Sequence, residues 1–218
     1  MVRRRSIRPL LAAGVPVIAA FVPMFAAAQL APDTPRLVSP HGPAGLGVYW
    51  LRGETLPGDG DALLVTWAPA ALPAGVRLRG GGGTGADGDV AGFGGIDVQT
   101  PLARRSAGMP ADLEWYTGIG VARGGYTLAT IPLGVSAGTA WSSGSVWMAP
   151  YVSAGIAADL RLGDSAPEDE FIVQPALDIG LDLALDRNRS FVLRTAASLG
   201  DRQTIAVGIV VGGGRGTR

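Results

Sequence analysis

Asp178 and Asp182 stand four residues apart in LDIGLDLA, Arg194 follows a short turn later, and Asp159 alternates with Arg161 in ADLRL. An even spacing puts both carboxylates on one side of an extended chain, where they could exchange protons, hold a cation or pair with arginine. Acid–base work also needs a cleft and a perturbed pKa, and nothing in these runs indicates either. The single histidine, His41, sits among Pro40 and Pro43, so a hydrolytic Ser/His/Asp set is poorly served. Gly80 to Gly83 with Gly85 lacks the lysine of a phosphate loop and reads as a flexible turn. Glu168, Asp169 and Glu170, with Asp164 nearby, could bridge a divalent cation to lipopolysaccharide, but a charged loop tip is ordinarily just solvated. No catalysis, metal or cofactor is expected. Two uses remain for the charges: ion pairs that close a polar interior, or a narrow channel whose selectivity they set.

Those charges sit in strands. In residues 146–162, VWMAPYVSAGIAADLRL, one row carries Val146, Met148, Val152, Ile156, Leu160 and Leu162, and the other carries Ser153, Gly155, Asp159 and Arg161. A period of two means an extended strand, and 17 residues is long for a soluble one, whereas a tilted membrane-spanning strand needs roughly 9 to 11. Ten such segments, separated by Gly, Pro, Asp and Ser clusters, are predicted at 46–52, 62–68, 76–82, 90–102, 113–122, 126–141, 146–162, 172–186, 190–200 and 204–212. The first three are short, and an eight-stranded barrel beginning near Val76 or Val90 competes with ten strands. When Val, Ile and Leu choose the outward row, Arg77, Arg79, Asp97, Glu114, Asp159, Arg161, Asp178, Asp182 and Arg194 all fall on the opposite one.

A soluble β-sandwich would bury the apolar row, whereas a transmembrane barrel would turn it toward lipid. If the C-terminus is periplasmic and the strands alternate in direction, outward Trp67, Trp115, Trp141 and Phe191 lie near the periplasmic ends of their strands, as an interfacial girdle would, with Trp50 expected near the opposite rim. Turns at 142–145 and 187–189 are short. Longer connections are expected at 53–61, 83–89 and 163–170 on one side and at 103–112 on the other.

Arg3, Arg4, Arg5 and Arg8 precede an apolar run from Pro9 to Ala28, the pattern of a secretory signal peptide over residues 1–28. Its removal would leave a net charge of minus four, and no basic surface points to nucleic acid. Residues 29–43, with Pro32, Pro35, Pro40 and Pro43, read as an extended periplasmic lead-in, 44–212 as one barrel domain and 213–218 as a flexible tail. Cysteine is absent.

The run APYVSAGIAADLRLG (149–163), followed by an acidic loop and three more alternating strands, resembles the small bacterial outer-membrane β-barrels of the OmpA, OmpX and opacity-protein type. The resemblance covers roughly residues 76–212 and rests on architecture. It implies a closed antiparallel up-and-down transmembrane β-barrel of eight to ten strands, all-β, with outer-membrane lipid and the barrel-assembly machinery as partners. Such proteins commonly end on an aromatic residue, whereas here Gly212 to Gly214 and Arg215 to Arg218 follow the last strand. The expected role is structural or surface-interacting with a lumen closed by Arg/Asp pairs. The alternatives are a narrow pore or small-solute channel, or a soluble periplasmic β-barrel or sandwich binding an apolar ligand.

Overall fold

The computed structural model describes residues 34–55, 58–69, 71–85, 90–106, 108–163, 166, 171–200 and 202–212. Residues 1–28, read as a signal peptide, the 213–218 segment read as a tail, and most of the acidic loop lie outside these. The strands are β1 Leu46–Thr55, β2 Gly58–Trp67, β3 Val76–Gly85, β4 Val90–Ala103, β5 Asp112–Arg123, β6 Thr127–Gly138, β7 Trp141–Ser143, β8 Val146–Leu162, β9 Phe171–Ala184, β10 Phe191–Leu199 and β11 Thr204–Val211. Each pairs antiparallel with its neighbour in sequence, except that β6 and β7 both pair with β8 and so form one interrupted wall strand. β1 pairs with β11, from Leu46 opposite Val211 to Gly53 opposite Thr204, which closes the sheet. The result is an up-and-down barrel of ten wall strands; the eight-strand alternative and the sandwich do not describe it.

Alternation explains why the sheet can close around charged as well as apolar inward residues. In β8, Met148, Val152, Ile156 and Leu160 are 39–45% exposed, whereas Ala149, Ser153, Ala157 and Asp159 are 1% exposed or less. The same apolar row faces outward on β1, β2, β4, β5, β6, β9, β10 and β11. β3 differs: its outward positions include Gly80 and Gly82, opposite Gly94 and Gly92 of β4. Inside, glycine makes room for aromatic rings. Tyr151 lies against Gly180, Tyr116 against Gly134 and Gly155, and Tyr49 against Gly47 and Gly208, where an added Cβ would strike the rings.

The first three strands run further than their apolar rows suggest. Arg52 opposes Asp61, Gly53 opposes Gly60 and Glu54 opposes Asp59, so the β1–β2 ladder continues past the apolar band on polar and glycine residues. The loops expected at 53–61 and 83–89 are correspondingly shorter. Pro132, inside β6, has no N–H to give the ladder; pairing with β5 lapses beside it, and the Thr117 hydroxyl donates to the Pro132 carbonyl at 2.9 Å.

Register places Trp67 opposite Leu46, Phe191 opposite Val211 and Trp141 opposite Met148, so these three share the rim where the barrel begins and ends. Trp67, Trp141 and Phe191 are half or more exposed there. Trp115 lies on the same side, slightly further in, opposite Thr100 and Val135. Trp50 is not near the opposite rim: it pairs with Leu63 and Val207 in the middle of the wall.

Candidate functional site

The site is the lumen, and its contents begin with barrel width. Ten strands spaced ~4.8 Å apart and tilted ~40° give a wall radius of roughly 10 Å against roughly 8 Å for eight, an extra cross-section of about 110 Å². An extended chain occupies on the order of 50 Å² of cross-section, so a ten-stranded lumen has room that side chains alone leave unfilled. Residues 34–43 take that room. They are not the lead-in outside the barrel that their prolines and lack of periodicity imply: Arg36, Leu37, Val38 and Ser39 are 1–4% exposed inside it.

The wall holds this segment mostly by its backbone carbonyls. Arg79 donates to the Pro35 carbonyl at 3.3 Å, Arg77 to the Arg36 carbonyl at 2.8 Å and to the Leu37 carbonyl at 2.9 Å. Arg194, from almost across the ring, donates to the same Leu37 carbonyl at 3.2 Å, and Ser136 donates to Val38 at 2.7 Å. Leu37 adopts a φ of 53° between these two arginines. Pro35, Pro40 and Pro43 have no N–H to satisfy in a lumen whose guanidinium groups are already donors. The segment's own side chains add contacts: Arg36 donates to the Tyr116 hydroxyl at 3.1 Å and lies 4.0 Å from Asp178, and His41 Nε2 meets Asp112 at 2.8 Å.

The charges predicted to face inward occupy separate clusters. Arg77 pairs with Asp97 at 2.9 Å, and Arg79 reaches the same carboxylate at 3.6 Å. Arg194 grips Asp182 with Nε at 2.5 Å and Nη2 at 2.8 Å, a fork-on-carboxylate pair with both residues buried. Asp178 does not join that pair: it accepts from Ser153 at 3.1 Å and from Ser198, and faces Arg36. Asp159 accepts from Thr130 at 2.8 Å and pairs with Arg202. Arg161 and Glu114 form no ion pair among the described residues.

Sequence reasoning missed Arg36, Arg202, Ser153, Ser198, Thr130 and the His41–Asp112 contact. The inward parity of Ser153, Ser198 and Thr130 was a usable signal, because a small hydroxyl beside a buried carboxylate supplies its hydrogen bond. Arg36 and His41 gave none, since no period attaches them to a strand. At the mouth where β1 starts, a cavity of about 200 Å³ remains between this segment and the wall, bordered by Ser39, His41, Arg77, Gln99, Trp147 and Arg189. Arg189 stacks over the Trp147 ring at 4.4 Å from its centre. The lumen carries buried charges beside an apolar cluster that includes Leu51, Leu64, Phe93 and Leu128, and residues 34–43 occupy it, which ill suits the apolar-ligand reading.

No family model matches the chain, and no curated protein matches it. Among solved structures it is similar to a protein titled "De novo design of transmembrane beta-barrels", at 17% identity and a TM-score of 0.35, over 78% of this chain and 96% of that one. The architecture rests on the strand pairing itself.

Proposed function

We propose that this chain is an integral β-barrel of a bacterial outer membrane, exported by its N-terminal signal peptide. Its proposed role is structural or surface-interacting rather than catalytic, with a closed lumen. The observation that carries this reading is the inside-out polarity of a closed barrel. Charged groups such as Asp182 and Arg194 are buried, while Ile119, Ile131, Ile156, Ile179, Ile205 and Ile209 are 44% exposed or more on the outer wall. Monomeric soluble proteins rarely expose contiguous apolar patches beyond a few hundred Å², and hydrocarbon is the solvent that favours such a wall. The rim tryptophans and Phe191 fit the water–lipid interface, and outer-membrane lipid and the assembly machinery are the proposed partners. Membrane fractionation tests this: the chain is expected in the outer-membrane fraction, extracted by detergent and running faster unheated than boiled. Release from the periplasm without detergent would overturn it.

A further inference from the structure

Residues 34–43 lie inside the wall without belonging to it. No strand pairs with them; side chains of β3, β6 and β10 donate five hydrogen bonds to the carbonyls of residues 35–38, and Arg36 and His41 add side-chain contacts. The wall is also provided for in their absence. Arg77 keeps Asp97, Arg194 keeps Asp182, and Asp178 keeps Ser153 and Ser198, so withdrawing the segment leaves the wall's own pairs formed, while Tyr116 and Asp178 lose Arg36 and Asp112 loses His41.

The joint to the wall is built for a change of direction. Gly42 donates to the Ser39 carbonyl at 2.8 Å in a turn, Pro43 follows, and Gly45 sits at φ 132°, a conformation that glycine tolerates and side chains rarely adopt. A Cβ at Gly45 would strike the Val211 carbonyl. The chain thus folds back from lumen to wall over four residues at one mouth, which leaves 34–41 attached at a single end among the described residues.

We propose that this barrel is a pore for small polar solutes or ions and that its own residues 34–43 are the gate. The proposal rests on the membrane reading above and adds transport to it. With the segment in place, buried Leu37 and Val38 shut the path; with it withdrawn, the path is lined by the inward rows, whose paired charges and hydroxyls stand among buried apolar and aromatic side chains such as Tyr49, Leu64 and Leu128. Arg36 is the contact that decides between the two, because it sets a cation against Asp178. Reversing its sign places carboxylate against carboxylate in a buried site and favours withdrawal.

The test uses the full chain reconstituted in planar bilayers, with heat-dependent gel mobility and vesicle flotation confirming assembly and insertion. The unaltered chain is expected to be closed nearly all the time, and Arg36→Glu to raise open-state occupancy at least tenfold, with Ser136→Ala giving a smaller rise. Because the chain has no cysteine, Arg36→Glu combined with His41→Cys and Asp112→Cys can be bridged by a short cleavable bifunctional thiol reagent. Bridging is expected to silence the conductance and cleavage to restore it. Inserted, heat-modifiable Arg36→Glu barrels as silent as the unaltered chain would overturn the gate alone, as would conductance indifferent to the bridge. A chain that fails to float with vesicles would overturn the membrane reading and the gate together.

Discussion

Asp182→Ala isolates one buried charge. The deletion removes both hydrogen bonds that Arg194 makes to a carboxylate, at 2.5 and 2.8 Å, and leaves its guanidinium with the Leu37 carbonyl at 3.2 Å. Asp182 is fully buried and Arg194 is 2% exposed, so water does not replace the lost partner. Removing one member of a buried pair in this way costs about 3–5 kcal/mol, because the remaining charge is uncompensated. Replacing both, as Asp182→Leu with Arg194→Met, is expected to fall within about 1 kcal/mol of the original or above it, since the desolvation of both charges disappears together. Urea unfolding in phospholipid vesicles, followed by tryptophan fluorescence, measures both variants against the original. If Asp182→Ala costs less than about 1 kcal/mol, water reaches Arg194 and the lumen is not filled as described.

Four further substitutions probe other parts of the barrel. Ile156→Arg puts a charge on the outer face and is expected to cost roughly 2–4 kcal/mol if that face lies at the bilayer midplane, measured by the same unfolding; Ile156→Leu should be nearly neutral. Ser153→Arg is also expected to be harmful, because Ser153 is 1% exposed and donates to Asp178, so inward positions offer no free volume. Gly180→Ala drives a methyl group into the Tyr151 ring and should cost about 1–3 kcal/mol, partly recovered by trimming Tyr151 to Ala; full tolerance of Gly180→Ala alone would refute the ring placement. Asp186, in the β9–β10 turn, accepts the Ser190 N–H at 2.9 Å, which holds its carboxyl below the usual range. A lowered pKa in the folded state stabilises above the unfolded value and is lost as pH falls through the folded one. The stability gap between the original and Asp186→Ala should therefore be present at pH 7 and close in strong acid.

What the sequence made legible was whatever repeats every two residues. The outward rows of β8, β9 and β11 are uninterrupted enough to give strand identity, facing and the inward parity of Asp178, Asp182 and Arg194. The tips of β1 and β2 were not legible, because Gly53, Glu54, Asp59 and Gly60 continue the ladder outside the apolar band, where hydropathy no longer alternates. Parity also says which side a charge faces and not which charge it meets. Asp178 meets Ser153, Ser198 and Arg36 rather than Arg194 because register across β8, β9 and β10 sets Asp182, four residues further on, opposite Arg194. The lumen segment was hidden for a different reason. Its contacts are carbonyls accepted across 40 to 157 residues of sequence, as between Arg77 or Arg194 and Leu37, and a carbonyl carries no side-chain signature.

The central claim is that a closed barrel presents its apolar rows to lipid and its charges to a filled interior. Single cysteines at the outward positions 152, 154 and 156 of β8, spin-labelled one at a time in the otherwise cysteine-free chain and reconstituted in vesicles, measure it directly by collision with oxygen and with a water-soluble nickel chelate. Labels at Val152, Ala154 and Ile156 are predicted to collide strongly with oxygen and weakly with nickel. Strong nickel collisions at Val152, Ala154 and Ile156 would put the outer wall in water and contradict the account.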